Sequence, residues 1–240
     1  MALENQNIAM WKKILYVCLP LLAFVILYDI CTAFLQYLGN IIIGVLGDKG
    51  VIWLAGNQGT FKALCIMGGL SLTFVCMFKT ALQDGFLTPK KEVWKIPVWQ
   101  YAIIVIGSIV LAYGCNYLFA VSGFTASSES YQNVAQSQYD VSLVVGLILY
   151  GVVSPFVEEV IFRGFLYGRM KVYMSKVVAL FLSSLLFGIY HGNLVQGTYG
   201  FIMGVIFALV YEKYKNFYLA AIMHAMANLV AYFIQLNGFI

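Results

Sequence analysis

Seven apolar runs follow one another along this chain of 240 residues, each close to the length that spans a bilayer. They fall near 14–36, 61–82, 100–122, 141–168, 175–191, 195–211 and 217–236. A helix needs roughly 20 apolar residues to cross the ~30 Å hydrocarbon layer. Lipid offers backbone N–H and C=O groups no partner, so each run must satisfy its own as a helix. The expectation is an all-α fold: a polytopic transmembrane helix bundle of seven spans, forming one integral membrane domain over 1–240. The stretch Asn40–Leu46 is apolar too. It either lengthens the first helix, lies at the interface or makes an eighth segment.

Composition closes off the soluble alternatives. Hydrophobic residues make up 62% of the chain and charged residues 10%, against roughly 45–50% and 25% in soluble domains. The mean hydropathy is +0.87. An ordinary cytosolic enzyme, a disordered chain and a nucleic-acid binder are thereby excluded. The net charge of +4 is spread along the sequence and forms no basic patch. Cys18, Cys31, Cys65, Cys76 and Cys115 all sit in apolar runs without a Cys-x-x-Cys pair, and read as small buried apolar residues. Lys12 and Lys13 precede an apolar run too long for a signal peptide, so it reads as a retained first span.

Lys and Arg orient the bundle. With the N-terminus inside, eleven positive residues fall on the inner ends and two, Lys49 and Lys62, on the outer ends. The expected location is a bacterial plasma membrane with a cytoplasmic N-terminus. The largest outer connection, Gly123–Asp140, is rich in Ser, Gln and Asn and reads as a polar loop. The largest inner one, Gln83–Trp99, carries Pro89, Trp94, Pro97, Trp99 and several lysines, which suits a segment resting on headgroups.

Charged residues inside spans are costly and each asks for a reason. Asp29 lies in the first span; Glu158, Glu159 and Arg163 lie in the fourth. Both histidines of the chain, His191 and His224, also fall at or within spans. Glu159 and Arg163 are four apart with Glu on the N-terminal side, the favourable order for an ion pair on one helix face. Glu158 is turned about 100° away and faces other neighbours. One carboxylate thus reads as structural and the other as available. Pro155 deprives the Gly151 carbonyl of its usual donor and bends the helix just before the acids.

Helical arithmetic brings these groups to one depth. If the fourth and fifth helices form a hairpin turning at Arg169–Lys176, Glu158 and His191 each lie ~25 Å from the turn. The sixth and seventh helices turn near Glu212–Asn216, and His224 and Asn228 share one face of the seventh, ~15 and ~20 Å along it. An acid, two imidazoles and an amide can then meet inside the membrane.

Glu158-Glu159-x-x-x-Arg163, Phe187-x-x-x-His191 and His224-x-x-x-Asn228 resemble the three motifs of the CAAX protease and bacteriocin-processing (CPBP, or Abi) family. The motif-bearing core covers about 141–236. The resemblance implies an intramembrane glutamic-type endopeptidase acting on a membrane-associated peptide or protein, in peptide maturation or bacteriocin self-immunity. It gives Glu158 and His191 the activation of water, and His224 and Asn228 the stabilisation of the oxyanion. The residue types suit this: a carboxylate shielded from water can accept and return a proton, and imidazole and amide groups can donate to a developing negative oxygen. No cofactor is expected. The family has also been described as metal-dependent, and zinc held by Glu158, His191 and His224 is the alternative.

Plainer readings stand beside these. Glu159 with Arg163 reads as a structural staple. His191 alone would be an interfacial residue, and His224 with Asn228 interhelical glue. The rival functions are a catalytically silent scaffold that regulates a partner, and a proton-coupled carrier. The carrier needs a repeat or a pair of broken helices, and the sequence has neither. The expected partners are the bilayer and the peptide substrate.

Overall fold

A computed structural model of the chain describes residues 9–88 and 96–237. Within them the chain forms α1 (Met10–Val45), α2 (Asp48–Gly56), α3 (Gln58–Asp84), α4 (Val98–Val121), α5 (Glu129–Tyr139), α6 (Leu143–Tyr173), α7 (Lys176–Tyr190), α8 (Leu194–Tyr214) and α9 (Phe217–Asn237). No strand occurs among the described residues. Helices α1, α3, α4, α6, α8 and α9 are long and apolar enough to cross a membrane. The fold is therefore the expected polytopic helical bundle.

The fifth apolar run is a helix but a short one. α7 has 15 residues, a length of ~22 Å at 1.5 Å per residue, below the hydrocarbon thickness. Gly192 sets its end. That residue takes φ 73°, a left-handed turn open to glycine, immediately after His191. Asn193 then starts α8 by accepting from the Gln196 N–H at 2.9 Å. His191 is thus held at a helix terminus well inside the bundle. The Asn40–Leu46 stretch lengthens the first helix, since α1 runs on to Val45. The nine-residue α2 that follows is too short to be an eighth span.

The outer connection is not the loop its polarity suggests. Glu129–Tyr139 forms α5, because Ser128 accepts from the Tyr131 N–H and Glu129 stands in the positive first turn. Tyr131 and Ala135 on one face pack with Val195, which explains why so polar a segment is ordered. Of the inner connection, Pro89 and Trp94 lie outside the described residues.

α6 departs twice from regular α-helix. Around Leu149–Val153 the backbone widens to a π-helical register, with the Ser154 N–H reaching the Leu149 carbonyl. A second π segment runs from Val160 to Tyr167. Pro155 explains the first: it has no N–H to give Gly151, and a wider turn accommodates the missing bond better than a straight α-helix. The six residues between the two segments, Ser154–Glu159, carry both acids.

Two ionic clusters hold one end of the bundle. Arg169 bonds Asp84 at 2.7 Å and the Tyr16 carbonyl at 2.8 Å, joining α6 to α3 and α1. Glu212 of α8 accepts from the Tyr167 hydroxyl at 2.8 Å and pairs with Lys171, Lys176 and Lys215. The interior is strongly aromatic: Phe24, Phe162, Phe165, Phe187, Phe207, Phe217, Tyr167 and Tyr232 are almost wholly buried. These rings build the core, where composition alone suggests lipid-facing and belt positions.

Candidate active site

The electrostatic centre of the bundle is a three-part network. Glu159, 0% exposed, faces Arg163, 1% exposed, at 2.8 Å on the same helix. The Arg163 Nη2 also donates to the Gly204 carbonyl of α8 at 3.1 Å, and the guanidinium lies over the Phe187 ring. The third member is His224 of α9, whose Nδ1 is 2.9 Å from the same Glu159 oxygen. A carboxylate paired with arginine can only accept, so Nδ1–H is the donor. The pair thus does more than staple α6 to α8: it also fixes the tautomer and plane of His224. Phe207 stacks on that ring with centroids 5.0 Å apart, and Phe187 meets it edge-on at 5.4 Å.

The free edge of His224 points to the other acid. Its Nε2 is 3.5 Å from Glu158 Oε2. Glu158 is in turn held by Ser154, one turn earlier, whose hydroxyl donates to Oε1 at 2.5 Å. The expectation that the two acids have separate neighbours is therefore corrected. A 100° turn separates them on α6, but one imidazole spans that angle and touches both. Ser154 has no place in the motifs; its i,i+4 spacing from Glu158 is the signal that points to it.

His191 completes the set from α7. Its Nδ1 is 2.9 Å from the Phe187 carbonyl, which can only accept, so Nδ1 carries the proton and Nε2 keeps a lone pair. Gly200 of α8 lies close against this ring; a Cβ there would come within 3.3 Å of it.

Glu158, His191, His224 and Asn228 all line one cavity of about 520 Å³, a size that suits a ligand pocket. Glu159 and Arg163 are not among its lining residues. The wall also includes Tyr28 and Asp29 of α1, Asn116 of α4 and Tyr131 of α5. Asp29 is a residue for which the sequence suggests no role, because the register of α1 against the motif helices cannot be read from spacing. Among the described residues no three His, Cys, Asp or Glu side chains form a group that could hold a metal ion.

A polytopic helical bundle with carboxylate, imidazole and amide groups around one cavity has the groups an intramembrane hydrolase would need, and comparison with known proteins gives the chain a family. The model described as type II CAAX prenyl endopeptidase Rce1-like matches residues 140–230. A protein of Bacillus subtilis (strain 168) named "Putative membrane peptidase YdiL" is 30% identical over 190 residues, covering 79% of this chain and 76% of that one. The membrane-embedded CAAX protease MroQ of Staphylococcus aureus (strain USA300) is 22% identical over 155 residues, 62% of this chain and 61% of that one. No solved structure matches the chain. The chain belongs to the CPBP family of intramembrane, CAAX protease-like peptidases.

Proposed function

We propose that this peptidase is of the glutamic type and cleaves a membrane-associated peptide or protein with a water molecule activated by Glu158 and His191. The observation that carries the reading is the division of labour between adjacent acids: Glu159 is consumed by Arg163 and the His224 Nδ1–H, while Glu158 lines the cavity. Glu158 accepts a proton as the water oxygen attacks the peptide carbonyl. His191 Nε2, the acceptor nitrogen of that ring, orients the water. The oxyanion is stabilised by the Asn228 amide and by His224, which donates from Nε2 when that nitrogen is protonated, its Nδ1–H being held by Glu159. The proton that Glu158 took from the water then passes to the departing amine, so Glu158 ends the cycle ionised. Ser154 keeps the Glu158 carboxylate turned for this exchange.

The reading uses no metal. It places the protein in a bacterial plasma membrane with its N-terminus in the cytoplasm, and gives it a part in peptide maturation or bacteriocin self-immunity. The resemblance motivates the role, and the eleven-to-two bias of positive residues motivates the orientation.

The test uses purified protein in lipid nanodiscs, a peptide library read by mass spectrometry, and water enriched in oxygen-18. Cleavage should put the heavy oxygen in the new carboxylate and persist after dialysis against a strong chelator. Activity lost on chelation and restored by zinc establishes the metal-dependent version. Absence of any cleavage, with the fold intact, leaves the scaffold reading.

A further inference from the structure

Asp29 stands where a carboxylate is hardest to keep. It is nineteen residues into the 36-residue α1, ~28 Å from one end and ~24 Å from the other, hence near mid-bilayer. A charge at that depth must face a hydrated cavity or a countercharge. Asp29 is exposed and borders the cavity: with Tyr28 it lines the same 520 Å³ space as Glu158 and His191. Tyr28 and Tyr190 line the same cavity as the two acids.

Among the described residues no Lys or Arg lines the cavity. The arginine nearest the reaction centre in the network, Arg163, is committed to Glu159 and the Gly204 carbonyl. Arg169 is committed to Asp84, and Lys171, Lys176 and Lys215 to Glu212. No ion pair to Asp29 occurs among the described residues. Catalysis as read above needs one carboxylate, Glu158, and gives Asp29 no task.

We propose that Asp29 is a specificity-determining residue: it receives a cationic group of the substrate, a lysine or arginine side chain or a free α-ammonium, while the scissile bond lies against Glu158. The inference rests on the peptidase reading for the position of the scissile bond, but not for the binding preference itself. A substrate cation neutralises Asp29 in a space that no described Lys or Arg lines, so charge sets the register of the chain in the cavity. An otherwise apolar membrane peptide would then be cut at a fixed distance from its basic residue.

The experiment reads binding apart from cleavage. A fluorescent apolar peptide series, with lysine, norleucine or glutamate walked through each position, is titrated against Glu158→Gln protein in nanodiscs. At one position lysine should bind about fivefold better than norleucine, the scale of a solvent-accessible ion pair in a partly enclosed site. Asp29→Asn should level that ratio and leave norleucine binding unchanged; Asp29→Lys should turn the preference to glutamate. A lysine preference that persists on N-acetylation identifies the side chain as the source of the cation; weaker binding of every peptide on N-acetylation, removed by Asp29→Asn, identifies the α-ammonium. A lysine preference that is equal with and without Asp29 overturns the proposal, as does the absence of both a lysine preference and an Asp29-dependent effect of N-acetylation. The same series given to protein with intact Glu158 separates the two readings. An Asp29-dependent preference without cleavage contradicts the peptidase mechanism alone; cleavage without the preference contradicts the role of Asp29 alone.

Discussion

His224 decides how the neighbouring acids differ. One of its nitrogens is fixed to Glu159 at 2.9 Å and the other faces Glu158 at 3.5 Å. Removing Arg163 leaves only the His224 Nδ1–H beside a charged Glu159 in a fully buried position, and breaking such a pair typically costs about 3–5 kcal/mol. Arg163→Ala should therefore lower the thermal unfolding temperature sharply, in a nanodisc or detergent melt, and lose activity with the fold. Ser154→Ala removes one hydrogen bond, worth about 1 kcal/mol. The melt should move little while peptide cleavage falls about tenfold, because the Glu158 carboxylate loses its anchor and not its chemistry. The identities of the four cavity groups were legible in the sequence, since charges and histidines in apolar runs are conspicuous. The contact of His224 with both acids was not, because helix geometry gives the angle between side chains and says nothing of a ring long enough to bridge it.

Elements show where local pattern suffices and where it fails. The long apolar runs announced their helices, and Pro155 announced a disturbance in α6. That the disturbance takes the form of a π register, and that a second follows at Val160–Tyr167, depends on packing that spacing does not encode. The polarity of Glu129–Tyr139 reads as a loop because its cap, Ser128, and its buried face, Tyr131 and Ala135, are meaningful only against α8. α7 and α8 illustrate close approach. A Cβ on Gly188 would lie 2.5 Å from the Gly197 carbonyl oxygen, so the two backbones are in contact. Gly188→Ala should push the helices apart, costing about 1–3 kcal/mol, with a lower melting temperature and reduced cleavage. Because His191 sits three residues on, the loss of activity should exceed what the fraction unfolded explains.

At the scale of the molecule, the ends of α1, α3, α6 and α8 are tied by Arg169 and by the lysines around Glu212, and the cavity opens among helices from both halves of the sequence. The three motifs mark only the second half, so the contribution of α1 and α4 to the cavity wall was invisible before the helices were assembled. Orientation is testable independently of chemistry. With the native cysteines replaced, Ser127→Cys in the α4–α5 connection should react with a membrane-impermeant maleimide on intact cells, and a cysteine beside Lys213 should not. The reverse pattern would invert the bundle.

The most direct test of the mechanism compares Glu158→Gln with the unaltered protein in the same nanodiscs and on the same cleavable peptide. Glutamine preserves the shape of the side chain and can still accept from Ser154, so melting temperature and peptide affinity should be unchanged, while turnover should fall at least a hundredfold, the lower bound for loss of a general base. Turnover by Glu158→Gln within a few-fold of the unaltered protein would contradict the assignment of Glu158 as the group that activates water.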